Sequence, residues 1–344
     1  MKRNMDQWAA DLVAAKTKKA IPVLSFPSIQ LLNITVRDLI SDSDVQAKGM
    51  KAVADRTPEA AASVSLMDLS VEAECFGAKI RFSDDEVPTV IGEVISTDLE
   101  EDEHLQAAKD MPVPPVGIGR TQIYIDAMAK AMDLITDRPV LAGTIGPFSL
   151  AGRLLNVSEA MVYCIEEPET VHVVLEKATQ FIIDYIKAFN AVGSNGVVIA
   201  EPLAGLLSPS LAQEFSGDYC KRIVDEVQDE NFAVVYHNCG NTANVTLESI
   251  HSCGAKAYHF GNAVGMEEIM SKIPSDMIAL GNVSPANEFR NGTPESVRAA
   301  TLELMEKCSK YPNFIPSSGC DIPPLSSWDN IDSFFKAIDE FYAR

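Results

Sequence analysis

Few residues in this chain combine a reactive side chain with a spacing that could serve chemistry. The sharpest set is His237-Asn-Cys239-Gly240 with a later Ser318-Gly-Cys320, 80 residues lying between the two cysteines. A histidine and a cysteine two apart on an extended segment point the same way, because side chains alternate with period two. A third sulfur from a later strand end would complete an N/S/S set. Zinc favours such ligands, and three of them leave one position open for a substrate. A His-x-Cys pair alone is unspecific. Cys239 and Cys320 could instead be ordinary buried thiols, and His237 a satisfied core histidine. Two carboxylates also stand where strands should end. Glu201 closes Gly-Val-Val-Ile-Ala-Glu and Asp68 closes Ser-Val-Ser-Leu-Met-Asp. Each could be a metal ligand, a general base or an acceptor that orders a loop.

The elements that must position these residues are short apolar runs alternating with helical stretches. Candidate strands are Ile21–Phe26, Ser63–Leu69, Pro139–Ile145, Gly196–Ala200, Phe232–Tyr236, Ala255–Phe260, Met277–Leu280 and Asn313–Pro316. Most are continuously apolar, which predicts burial on both faces in a parallel sheet. Helical spacing is clearest over Glu166–Phe189, Pro209–Glu226 and Thr293–Lys310. Thr293-Pro-Glu-Ser reads as an N-cap with proline at the first helical position. Eight strands separated by helices predict an α/β fold of the (β/α)8 TIM-barrel type, with a doubly wound open sheet as the alternative.

In a barrel the carboxyl ends of the strands converge on one face, where active sites are built. Asp68, Glu201, His237, Cys239, His259, Asn262, Asn282 and Cys320 all fall at or just beyond such ends. Their shared position is stronger evidence than any one of them. Cys253 repeats the His-x-Cys spacing in His251-Ser-Cys, but it precedes a strand, on the opposite face, and reads as structural. Cys75, Cys164, Cys220 and Cys308 lie in or beside helices and read as packing.

Several classes are excluded or disfavoured. Aspartate plus glutamate number 49 against 28 lysines and arginines, for a net charge of −21 over 344 residues. Such a surface repels phosphate backbones and anionic lipid, so neither nucleic acid nor a membrane surface is an expected partner. No apolar run approaches a membrane span. Gly117-Ile-Gly-Arg-Thr-Gln lacks the third glycine of a dinucleotide fingerprint, and there is no phosphate-binding Walker sequence. Glu100–Glu103 reads as a solvated acidic loop. Seven scattered cysteines do not form a disulfide framework, which predicts reduced thiols and a cytoplasmic setting. Met1-Lys-Arg is followed by Asp6 and Asp11, so a secretory signal is not expected.

Longer motifs carry a resemblance over nearly the whole chain. They are Met67-Asp-Leu-Ser-Val-Glu-Ala-Glu-Cys-Phe-Gly-Ala, Gly146-Pro-Phe-Ser-Leu-Ala-Gly, Glu201-Pro with Leu207-Ser-Pro, His237-Asn-Cys-Gly-Asn, Leu280-Gly-Asn-Val-Ser-Pro and Ser318-Gly-Cys-Asp-Ile-Pro-Pro. With these the chain resembles the uroporphyrinogen decarboxylase superfamily, and within it the zinc-dependent corrinoid methyltransferases of the methylcobamide:coenzyme M type. That resemblance implies a distorted (β/α)8 barrel, here one domain over residues 1–344 with an N-terminal helical extension. It implies zinc on His237, Cys239 and Cys320, with Glu201 as a candidate fourth ligand. It also implies a corrinoid presented by a carrier protein, and a small molecule that accepts or donates the methyl group. Asn262 and Asn282 become candidates for hydrogen bonding to substrate or corrinoid, or for ordering loops.

Departures separate the branches of the superfamily. Uroporphyrinogen decarboxylases carry an arginine-rich loop after the first strand, and the matching stretch here, Ser25-Phe-Pro-Ser-Ile-Gln-Leu-Leu, has none. They also place a histidine where this chain has Cys320. Asp68 matches the decarboxylase aspartate in position. The favoured expectation is transfer of a methyl group from methyl-Co(III) to a thiol. Demethylation of a methoxy or methylamine compound, and decarboxylation of uroporphyrinogen, are the alternatives.

Overall fold

The computed structural model describes residues 2–99 and 101–344. Seven parallel strands form one curled sheet. They are β1 (Ser63–Val64), β4 (Val140–Ile145), β5 (Gly196–Ala200), β6 (Ala233–Asn238), β7 (Ala257–Phe260), β8 (Ile278–Val283) and β9 (Phe314–Ser318), hydrogen-bonded in that order. A separate antiparallel hairpin, β2 (Lys79–Arg81) with β3 (Thr89–Ile91), lies between β1 and β4 in sequence. Helices connect successive strands of the main sheet, so each crossover returns to its neighbour. This is the (β/α)8 arrangement that the alternation of elements predicts.

The eighth position is filled differently from expectation. Residues 20–25 run between β9 and β1, but they are not a regular strand. Ile21 N donates to Pro316 O at 3.1 Å and Ala61 N donates to Ala20 O at 2.8 Å. Elsewhere side chains replace the ladder: Val23 N donates to Ser318 Oγ, Ser317 Oγ donates to Ile21 O, and Ser25 Oγ donates to Val64 O. The reason is covalent. Pro22 and Pro316 have no N–H, so the two facing segments cannot build a continuous ladder. β1 likewise keeps only two residues of the expected Ser63–Leu69.

Both faces of the strands are buried, and their side chains alternate. Val198, Ala200, Ala233, Val235, Ala257, Ile278, Leu280 and Ile315 fill the barrel. Val197, Ile199, Val234, Tyr236, Tyr258, Phe260, Ala279 and Phe314 pack outward on the helices. This two-sided burial explains the unbroken apolar runs. Helix α1 (Met5–Ala14) is capped by Asn4, whose Oδ1 accepts from Gln7 N at 2.7 Å. It buries Met5, Ala9 and Leu12 in the interior cluster. Met5 N donates to Glu230 O and Trp8 Nε1 to Ala61 O, both just before strands, so α1 plugs the amino end of the barrel. The opposite end stays available.

Three boundaries differ from the sequence reading. β6, β8 and β9 each run two or more residues further toward their carboxyl ends, which places His237 and Asn282 inside strands. The stretch Pro209–Glu226 is interrupted by a wide turn at Gln213–Gly217, where Gly217 packs against Ser249. The acidic segment read as a loop begins a helix, Glu101–Asp110, while Glu100 lies outside the described residues. Thr293 caps Pro294–Cys308 as its sequence predicts. Among the described residues no helix is long and apolar enough to cross a membrane.

Candidate metal centre

The pleat of β6 sets up the site. Ala233 and Val235 face the barrel interior, so His237 and Cys239 share that face by period two. Cys239 lies just past the end of β6, and Gly261 seats it. A Cβ at Gly261 would lie 2.5 Å from both Cys239 Cα and Cys239 Cβ, so only glycine fits there. From the other side β9 ends at Ser318, and Gly319 leads into Cys320. A nitrogen of His237 and the sulfurs of Cys239 and Cys320 all lie within 4.8 Å of one another. Cys320 Sγ is 3.4 Å from His237 Nε2. This is the one such cluster of His, Cys, Asp or Glu among the described residues.

Accessibility grades across the trio. His237 is buried, whereas Cys239 and Cys320 are partly open to the barrel mouth. The two thiols differ in acidity. A hydrogen bond between the two thiols, together with burial, pushes Cys320 up to about 12. The same hydrogen bond holds Cys239 below the usual thiol value, so Cys239 is the first to become thiolate. One imidazole and two sulfurs, one of them the more acidic, form the donor set that suits zinc.

Behind His237 stands a second histidine. His259, fully interior on β7, has Nδ1 2.8 Å from His237 Nδ1 and Nε2 2.6 Å from Ser318 O. His237 Nδ1 is also 3.2 Å from the His259 carbonyl oxygen. Burial and the neighbouring His237 push the His259 pKa well below the ordinary imidazole value. Sequence pattern placed His259 at a strand end without giving it a role.

The two carboxylates are engaged elsewhere. Ala200 faces the interior, so Glu201, one residue on, turns to the helix layer. Its Oε1 accepts from Ser149 N at 2.8 Å and its Oε2 from Ser216 Oγ at 2.5 Å. Its side chain lies over Gly146, where a Cβ would meet Glu201 Cγ at 2.1 Å. Burial raises its pKa to about 7. Glu201 is not among the clustered donor atoms. Asp68 is paired with Arg120 and accepts from Tyr124 Oη at 2.8 Å, Ser70 Oγ at 2.6 Å and Ser70 N at 3.1 Å. Arg120 also holds Glu74 at 2.6 Å.

The sequence pattern defining uroporphyrinogen decarboxylase (URO-D) matches residues 28–341. The chain belongs to that family. Its relatives in the family divide by activity. The methylcobamide:CoM methyltransferase MtbA of Methanosarcina mazei is 28% identical over 247 residues, covering 70% of this chain and 69% of MtbA. A uroporphyrinogen decarboxylase of Coxiella burnetii is 24% identical over 291 residues, covering 81% of this chain and 77% of that enzyme. The solved structure of a methyltransferase from Methanosarcina mazei superposes with a TM-score of 0.84 at 22% identity, over 97% of each chain, which establishes the fold.

Within this family member the remaining polar residues sort by what they touch. Asn282 donates both amide hydrogens to loop carbonyls, Gly261 O at 2.9 Å and Val264 O at 2.8 Å. It therefore holds the loop that seats Cys239. Asn262 is exposed and packs against Gly319, where a Cβ would lie 2.8 Å from Asn262 N. Ser25–Leu32 carries no arginine. A cation does reach the mouth from elsewhere: Arg120, the fourth residue of the Gly117-Ile-Gly-Arg stretch that resembled a nucleotide loop only weakly. Glu72 was not foreseen either. It is buried beside Thr144 (2.7 Å) and Ile145 N (3.1 Å), its Oε2 has no partner, and burial raises it to about 7. No spacing in the sequence distinguishes it from the neighbouring Glu74.

Proposed function

We propose that this chain is a zinc-dependent methyltransferase that moves a methyl group between a corrinoid and a small substrate, most directly from methyl-Co(III) to a thiol. The observation that carries the reading is the N/S/S cluster of His237, Cys239 and Cys320 at the barrel's carboxyl end. Those three residues would hold the metal and leave a further position for a substrate sulfur. Zinc bound there supplies one function, lowering the pKa of a thiol so that it reacts as thiolate at neutral pH.

The protein's own residues do the rest. Cys239 offers the first anionic sulfur because Cys320 hydrogen-bonds to it. Burial of His237 keeps water from beneath the site, while the half-open sulfurs face the mouth. Asn282 pins the loop of Gly261, on which Cys239 is seated. The corrinoid is too large for the barrel interior, so a carrier protein presents it over the mouth. A reducing compartment such as the cytoplasm keeps both sulfurs available. Similarity to the methylcobamide:CoM methyltransferase supports this reading.

Decarboxylation is the competing activity, since the family includes it. Two features weigh against it here. A polycarboxylate substrate needs cations, and the Ser25–Leu32 loop has none. Asp68, at the decarboxylase position, already has its carboxylate spent on Arg120, Tyr124 and Ser70. The test is an anaerobic assay with methylcob(III)alamin and a panel of thiols, read by the appearance of Co(I). Thiol-dependent Co(I) supports the proposal. Metal-free protein that decarboxylates uroporphyrinogen overturns it. The same assay run from Co(I) with methoxy and methylamine compounds reads the opposite direction of transfer.

A further inference from the structure

We infer that His259 is a positioning residue that fixes the tautomer of His237, leaving His237 Nε2 with its lone pair toward the two sulfurs. The inference rests on the reading of the cluster as a zinc site. It follows from where protons can sit. His259 Nε2 lies 2.6 Å from Ser318 O and 2.9 Å from Ser317 Oγ. A carbonyl oxygen only accepts, and the Ser317 hydroxyl hydrogen is spent on Ile21 O at 2.7 Å. His259 Nε2 must therefore carry a hydrogen.

The other ring nitrogen follows. His259 Nδ1 and His237 Nδ1 are 2.8 Å apart, so one donates and the other accepts. Hydrogens on both would set two N–H groups head to head. His237 Nδ1 also lies 3.2 Å from the His259 carbonyl oxygen, which only accepts, so His237 Nδ1 is the donor and His259 Nδ1 the acceptor. That leaves His237 Nε2, the atom 3.4 Å from Cys320 Sγ, as a bare nitrogen.

The relay runs from β6 through β7 to Ser318, two residues before Cys320. His259 thus ties both halves of the cluster together and sets the orientation of the imidazole. Residues behind a metal-binding histidine commonly tune affinity tenfold to a hundredfold. Here the main-chain carbonyl of His259 would survive substitution, so the lower end applies.

The experiment measures zinc affinity by chelator competition for wild type, His259→Leu and His259→Gln. Leucine neither donates nor accepts, and should weaken binding about tenfold. Glutamine offers one donor and one acceptor in similar positions and should stay within about threefold of wild type. Equal affinity in wild type and the leucine variant overturns the inference, and so does an equal loss in both variants. If the leucine variant does not fold, nitrogen-15 NMR of histidine-labelled wild type decides. The expected tautomers are Nδ1–H for His237 and Nε2–H for His259, with or without metal; the reverse overturns it. Wild type that takes up no zinc sinks the proposed function, and the NMR of the metal-free protein still decides the tautomers.

Discussion

Two polar clusters share the carboxyl end of this barrel, and they differ in what their atoms have left to offer. On the β6, β7 and β9 side, His237 Nε2 and the sulfurs of Cys239 and Cys320 face one another and partner each other rather than the surrounding frame. On the β1 and β5 side, Asp68 and Glu201 are buried and fully partnered, one by Arg120, Tyr124 and Ser70, the other by Ser149 and Ser216. Residue type does not separate the two clusters, since carboxylates are as chemically capable as thiols. Saturation separates them. A group whose lone pairs are all committed holds structure together, whereas a group with idle lone pairs beside others like it can take a ligand.

The comparison can be broken from either side. His237→Ala should reduce methyl transfer at least a thousandfold, about 4 kcal/mol, because a metal ligand contributes several kcal/mol to charge stabilisation. The same variant should still fold with a cooperative thermal transition, its melting temperature lowered because His259 loses a buried partner; a variant that loses activity only because it no longer folds would mean that His237 is a core residue. Asp68→Asn should do the opposite. It leaves Arg120 short of its buried partner and should cost about 3 kcal/mol in denaturant unfolding, with zinc content unchanged. Loss of zinc without loss of stability would place Asp68 in the site.

Glu201 sharpens the contrast through pH. Its folded-state pKa is raised to about 7 from an ordinary 4.5, so the folded protein binds the proton more tightly than the unfolded chain. Stability contributed by that proton is present below about pH 4.5 and is lost as pH rises to about 7. Glu72, raised to about 7 by burial, adds in the same direction. Wild type should therefore lose stability between pH 5 and pH 8. Glu201→Gln should remove of order 2 kcal/mol of that loss, read as a flatter melting-temperature profile. An unchanged profile would mean that Glu201 is not protonated in this way. The smallest effect is expected at Asn282→Ala. Two hydrogen bonds to the Gly261–Val264 loop that seats Cys239 disappear, costing about 1 kcal/mol in stability and a few-fold in zinc affinity. A loss of methyl transfer with zinc affinity intact would instead give Asn282 a direct role toward substrate.

Much of this was legible in the sequence, for physical reasons that also mark where it was not. Continuous apolar runs betray strands buried on both faces, and polar residues closing them mark the functional end. Hence His237, Cys239 and Cys320 could be grouped before any coordinates. The orientation of Glu201 was legible in principle. Ala200 and His237 are paired in adjacent strands, so Glu201 must turn outward. That argument needs the register, which spacing alone does not supply. Arg120 and the wide turn at Gln213–Gly217 were not legible, because each depends on contacts between distant segments. The missing ladder at residues 20–25 was half-legible: Pro22 and Pro316 are visible, but not that they face each other.

On the proposed function, His237, Cys239 and Cys320 together hold one zinc ion at the mouth. Zinc content of protein purified without chelator tests it most directly, measured for wild type and for Cys320→Ser. One zinc per wild-type chain is expected, with a large loss of metal in a folded Cys320→Ser protein. Wild type without zinc, or a serine variant that retains it fully, would mean that these residues are not the metal's ligands.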